Sequence, residues 1–120
     1  MHKKLAVCVD DLLFNSKISR TARSLFIEIE FIPGSSEKIM ERIQLLNPMA
    51  VVLDLNSKKM HPIMLIQTLK RDPATSQIPI IGFFSHVDTD TRLAAMSSGC
   101  DQVVPRSLFE QKLPEILSAL

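Results

Sequence analysis

Short apolar runs alternate with segments of helical period along the whole chain. The first run, Leu5-Ala6-Val7-Cys8-Val9, is apolar on both faces and stopped by Asp10-Asp11, which predicts a central strand covered by helices on each side. Phe14, Ile18, Ala22 and Leu25 then recur at i, i+4, i+8 and i+11, one face of a helix. Residues 27–32 alternate Ile and Glu before Phe31-Ile32, a half-buried strand ending at Pro33-Gly34. Ser35 or Ser36 offers the N-cap of a second helix with Ile39, Ile43 and Leu46 on one side, stopped at Asn47-Pro48. Residues 49–55 (MAVVLDL) make the clearest buried strand, with a charged residue, Asp54, near its end.

Pro62 suits the first turn of a third helix, where its missing N–H costs nothing. Leu65, Ile66 and Leu69 form the apolar side of that helix, and Asp72-Pro73 ends it. Residues 78–85 read as a fourth strand, and 88–98 as a fourth helix with Asp88 or Thr89 as cap and Gly99 as stop. A short fifth strand, Gln102-Val103-Val104, carries Pro105 at its end, acceptable only at an edge or terminus. Leu113, Ile116, Leu117 and Leu120 mark a last helix, with Pro114 in its first turn or at a kink. Five strands and five helices in strict alternation, without repeat or linker, predict a single α/β domain over residues 1–120. It is a doubly wound five-stranded parallel sheet, with its site at the carboxyl ends of the strands.

Composition narrows the partners. With 120 residues the chain can bury one core, and 46% hydrophobic against 22% charged residues excludes intrinsic disorder. A formal net charge of +1, no basic stripe on any helix and no Trp or Tyr argue against a nucleic-acid partner. Cys8 and Cys100 have neither metal-ligand nor disulfide spacing, and Cys8 lies in an apolar run where a buried thiol is expected. His2 and His61 have no partner at ligand spacing, and His86 reads as a loop residue. Met40, Met60, Met64 and Met96 fall on or near helices, where core packing is the default and exposed ones would serve a partner surface. The apolar run before Asp10 is too short for a signal peptide, and no stretch has membrane-spanning length. A cytoplasmic protein with no membrane partner is the expectation.

In a sheet of this kind the acids ending strands one and three come together, here Asp10, Asp11 and Asp54. Two carboxylates about 4 Å apart repel by about 4 kcal/mol at an effective dielectric of about 20. Such a cluster needs a cation, a proton or a basic side chain, and Mg²⁺ suits an oxygen-only site that keeps several waters.

The VCVDD run, Asp54 ending VVLDL, and the segment LIQTLKRDPATSQIPII followed by SSGCDQVV together resemble a bacterial response-regulator receiver domain. The resemblance covers nearly the whole chain and runs without a gap from Met49 to Phe109. It implies the flavodoxin-like receiver fold with strand order 2-1-3-4-5, and a role in two-component phosphorelay signalling in place of metabolic catalysis. Asp54 matches the residue that accepts a phosphoryl group from a histidine kinase. Asp10 and Asp11 match the acid pair that holds Mg²⁺, and Asn56 stands where the family lends a backbone carbonyl to that metal.

Other positions depart from the family pattern. Phe84 stands where the family has a Thr or Ser that hydrogen-bonds the phosphoryl group. Ser85, one residue late, should face the opposite side unless a bulge re-aims it. Arg106 replaces the family's Lys and Ser107 its following Pro; Val103 replaces the aromatic switch residue. Lys58-Lys59 replace a Pro-Gly, and Pro62 a Gly. Arg106 with Lys58 or Lys59 is then expected to neutralise the acids and lessen the need for metal, since a guanidinium pairs well with carboxylates. Two readings follow. In one, Asp54 is phosphorylated with Mg²⁺ and the face of helix four, strand five and helix five changes shape; that face is also where a homodimer would form. In the other, the chain is a degenerate pseudo-receiver, a protein-interaction module acting without phosphate. A Mg²⁺-dependent phosphatase using Asp54 is disfavoured, because Asn56 stands where a haloacid-type enzyme needs a second Asp.

Overall fold

A computed structural model describes residues 3–86 and 88–120; His2 lies outside them. The elements run β1 (Lys4–Cys8), α1 (Leu12–Ser24), β2 (Glu28–Phe31), α2 (Ser36–Leu46), β3 (Ala50–Asp54), α3 (Pro62–Arg71), β4 (Ile80–Phe84), α4 (Thr89–Ser97), β5 (Gln102–Pro105), α5 (Arg106–Gln111) and α6 (Leu113–Ser118). The strands form one parallel sheet in the order β2-β1-β3-β4-β5, as the alternation of elements predicts.

Strand residues of opposite parity feed two cores. Ala6, Cys8, Val51, Leu53 and Ile80 face α2 and α3, meeting Ile39, Ile43, Leu65, Ile66 and Leu69. Leu5, Val7, Val52, Ile81 and Phe83 face the other side, against Phe14, Ile18, Ala22, Phe109, Leu113 and Leu117. Val7, Val52 and Ile81 sit side by side across three strands, so the central strands are covered on both faces and apolar throughout. Cys8 is fully buried, and burial pushes its thiol up to about 12, which keeps it inert. Met60 is fully buried and Met40 half-buried, whereas Met64 and Met96 stay on the surface.

Local chemistry sets the ends. Of the alternative caps, Ser35 accepts the Lys38 N–H and Asp88 the Thr91 N–H. Asn47 ends α2 in the left-handed region, and Gly99 follows α4 at φ 100. Thr75 is buried and donates its hydroxyl to the Leu69 carbonyl at 2.7 Å, which pins the turn after α3. Lys70 pairs with Asp101 at 2.8 Å, and Asp101 also accepts the Ile80 N–H, tying α3 to the start of β4.

The described residues form six helices where the sequence predicts five. The expected last helix is α6, with Pro114 in its first turn, and the additional helix is α5, which ends at Lys112 with φ −102 and ψ 12. Pro114 keeps the two apart: it has no N–H for the Glu110 carbonyl, and its ring crowds that carbonyl, so an unbroken helix cannot pass through it.

Gly82 of β4 has no room for a side chain, since a Cβ there would lie 2.8 Å from Leu55 Cδ2 and 2.9 Å from Leu55 Cγ. Gly82→Ala should cost about 1–3 kcal/mol by overpacking, measured by urea denaturation. Leu55→Ala in the same chain should remove much of that penalty, giving strong non-additivity in a double-mutant cycle.

Candidate functional site

Asp10, Asp11 and Asp54 stand at the carboxyl ends of β1 and β3, where the doubly wound order places a site. Asp11 caps α1: its Oδ1 accepts the Phe14 N–H at 3.1 Å. Asp10 is exposed, and Asp54 is half-buried as the last residue of β3. Asp54 Oδ1 accepts the Asn56 N–H at 2.9 Å. The Asn56 side chain spans to the neighbouring loop, its Oδ1 accepting the Ser85 N–H at 2.6 Å and the His86 N–H at 3.2 Å.

Arg106, the first residue of α5, reaches over this corner. Its Nη2 donates to Asp11 Oδ2 at 2.8 Å, and its Nε lies 3.7 Å from Glu110 Oε1 one helical turn on. The guanidinium carbon sits 4.3 Å from the centroid of the Phe14 ring, a cation–π contact. Phe14 in turn meets Phe83 and Phe109 edge-on, with centroids 4.9 Å and 5.7 Å away, while Phe83 and Phe109 stack on each other. The basic side chain is therefore fixed from three sides, by two carboxylates and an aromatic floor.

The two key carboxyls respond in opposite directions. The Phe14 N–H and the Arg106 guanidinium hold the Asp11 carboxyl below the usual range. Burial pushes Asp54 up, with the Asn56 N–H and Arg106 opposing, and with Asp10 and Asp11 adding to the rise.

The expected positions separate into those the fold brings together and those it leaves apart. Asp10, Asp11, Asp54, Asn56 and Arg106 share one corner. Lys58 and Lys59 are exposed and make no ion pair among the described residues, so the expectation that they neutralise the acids is corrected: Arg106 alone does so. Their ammonium groups gain more from water than from reaching a corner already held by a guanidinium. Phe84 ends β4 half-buried against the α2/α3 core, and Val103 packs on the same side. Ser85 is exposed, and the β4 pairings run without a skipped residue to Phe84↔Pro105, so no bulge re-aims it. His61 and His86 are exposed. Sequence reading missed the Phe14, Phe83 and Phe109 cluster and the role of Glu110. The i,i+4 spacing of Arg106 and Glu110 was the available signal, whereas Phe14 read simply as one face of a helix.

Among the described residues, no three His, Cys, Asp or Glu side chains converge closely enough to hold a metal ion. Asp11 has both oxygens engaged, one on the Phe14 N–H and one on Arg106. As it stands the donor set does not fit a resident divalent cation. No helix of the described residues is long and apolar enough to cross a membrane.

No family model and no curated protein matches the chain. Solved structures do. A response regulator from Hahella chejuensis superposes with a TM-score of 0.86 at 20% identity, covering 97% of this chain and 92% of its own. The chemotaxis response regulator CheY4 of Vibrio cholerae gives 0.83 at 13% identity over 99% and 98%. The Mn²⁺-bound form of response regulator Rcp1 gives 0.79 at 17% identity over 97% and 92%. The chain has the receiver fold.

Mg²⁺ titrated through the millimolar range should leave the amide resonances of residues 10, 11, 54 and 56 in place. Arg106→Ala, which frees Asp11, should make them shift on the same titration. Stability should also follow the two carboxyls. Asp54 holds its proton more tightly folded than unfolded, so its charge costs stability at neutral pH, a cost absent below about pH 3.9. Asp54→Asn, which keeps the acceptor for Asn56, should raise the melting temperature at pH 7 and leave it unchanged at pH 3. Asp11→Asn should do the reverse at pH 7, because the depressed carboxyl stabilises above the ordinary range and loses that effect as pH falls.

Proposed function

We propose that the chain is a signal-transduction domain of the receiver type that acts as a protein-interaction module without a bound divalent cation. One observation carries this reading: the Arg106 guanidinium is paired with Asp11 at 2.8 Å and seated on Phe14, in the position from which a metal would have to draw Asp11. A receiver needs its acid corner neutral enough to stay folded, and a fixed internal cation meets that need permanently. A bound metal would meet it only at sufficient concentration. The Phe84 side chain adds support, because an aromatic ring cannot hydrogen-bond a phosphoryl oxygen. A partner would then read the surface of the domain, with a histidine kinase or another signalling protein as the class implied by the fold.

A second reading has its own support. Asp54 Oδ2 makes no hydrogen bond among the described residues, and the carboxylate stands half-buried at the end of β3. On that reading Asp54 accepts a phosphoryl group within a phosphorelay, and Asp11 must first leave Arg106 before Asp10, Asp11, Asp54 and the Asn56 carbonyl could hold Mg²⁺. A homodimer through α4, β5 and α5 belongs to this reading. Leu93, Met96 and Leu108 are exposed on those elements.

Intact mass after incubation with acetyl phosphate and Mg²⁺ separates the two. The first reading expects no phosphoryl adduct on the parent at any Mg²⁺ concentration. A Mg²⁺-dependent gain of one phosphoryl group, absent in Asp54→Asn, would establish the second.

A further inference from the structure

The face of the molecule between α1 and the edge strand β2 is open, and the sequence of α1 is the cause. Ser16 and Ser19 stand where larger side chains would fill the space, leaving a groove of about 700 Å³ that reaches Leu12, Phe31 and Pro33. A second cavity of about 540 Å³ shares Ser19, Arg23 and Phe31 with it and extends the groove to Phe26.

Three features of this groove are unexplained by folding. Leu12 and Phe26 are 81% and 93% exposed at its two ends, and Phe31 is 42% exposed between them. Phe26 also occupies a strained backbone position at φ 59. Its N–H bonds the Arg23 carbonyl and the Ile27 N–H bonds the Ala22 carbonyl, the 5→2 and 6→1 pair of a helix stop where glycine is the usual residue. An aromatic residue in a glycine position costs the fold backbone strain, and its exposed ring gains nothing by burial in return. Third, the side chains of Arg20 and Arg23 both line the groove and make no hydrogen bond or ion pair among the described residues.

The edge of β2 supplies backbone groups. Glu28 and Ile32 direct their N–H groups to β1, so Ile29 and Phe31 turn theirs, with their carbonyls, away from the sheet. The Arg20 and Arg23 guanidiniums lie in the middle of the groove, between the exposed Leu12 and Phe26. An occupant complementary to that order has a carboxylate at its centre and apolar residues at its ends. α1 has 13 residues. At about 1.5 Å per residue it offers a length of about 20 Å, which about six extended residues would span.

We propose that this groove docks an extended peptide segment of a partner protein, added alongside β2, with an acidic residue between Arg20 and Arg23 and apolar side chains on Leu12 and Phe26. Main-chain pairing with Ile29 and Phe31 gives the segment its direction, and the two arginines select its charge. The proposal rests on the reading of the domain as a protein-contact module. Its test uses no phosphoryl donor, so it fails or stands separately from the acetyl phosphate experiment.

The probe is a displayed library of random peptides of about seven residues, selected on the 120-residue chain, with enriched sequences then measured by fluorescence polarisation. Sequences with a central Asp or Glu and apolar flanks should be enriched, and Arg20→Glu with Arg23→Glu should weaken them about tenfold or more. Phe26→Gly is the second variant: it should raise the melting temperature by relieving the strained position, yet weaken the peptide. Amide shifts should map to Ile29 and Phe31. Enrichment of basic or uncharged centres, binding indifferent to the arginine pair, shifts confined to α4 and β5, or no enrichment would each overturn the proposal. So would a concentration-dependent dimer in sedimentation that Arg20→Glu with Arg23→Glu abolishes, which would make a second copy the occupant.

Discussion

Like charge at the ends of neighbouring parallel strands is the constraint around which this molecule is arranged. The strand order β2-β1-β3-β4-β5 puts the carboxyl ends of β1 and β3 side by side, and with them Asp10, Asp11 and Asp54. Repulsion between such groups is strong in a partly buried corner. Here it is answered from within the chain by Arg106, held on Asp11 and Glu110 and laid over Phe14. That single side chain joins the acid corner to α5, and through Phe14 to the Phe83 and Phe109 rings of the core beneath.

Asp54 is half-buried at the end of β3, with one oxygen on the Asn56 N–H. The groups around it are committed elsewhere. Asp11 is shared between a helix cap and a guanidinium, the Asn56 amide ties two loops together, and Phe84 belongs to the core. Asp11 and Asn56 resist displacement, because each that moved would leave a partner unsatisfied. The proposed interaction role would be read at the surface of the domain.

That surface is unevenly used by the fold. α1 buries Phe14, Ile18 and Ala22 on one side and turns Leu12, Ser16, Ser19 and Arg23 to the groove beside β2. Phe26 closes the helix at a backbone position that glycine would fill at lower cost. Its ring is exposed beside the edge of β2, where no described strand pairs.

The sequence by itself determined the strands, every helix but α5, and the parallel sheet, because apolar periodicity and turn residues act within a few positions along the chain. It also located the acids, since Asp10, Asp11 and Asp54 follow strands whose apolar runs are unmistakable. Pro114 was legible as standing in a first turn or at a kink, and it stands in the first turn of α6. What Arg106 touches was decided only in the folded chain. Its Asp11 partner is 95 positions away, and its aromatic seat comes from α1. Lys58 and Lys59 looked equally suited in sequence, being cations near the acceptor, yet their loop leaves them in water. Charge type and proximity in sequence set which residues are candidates. Which cation reaches the acids is set by where the helices and loops place each side chain, and that is a property of the packed structure alone.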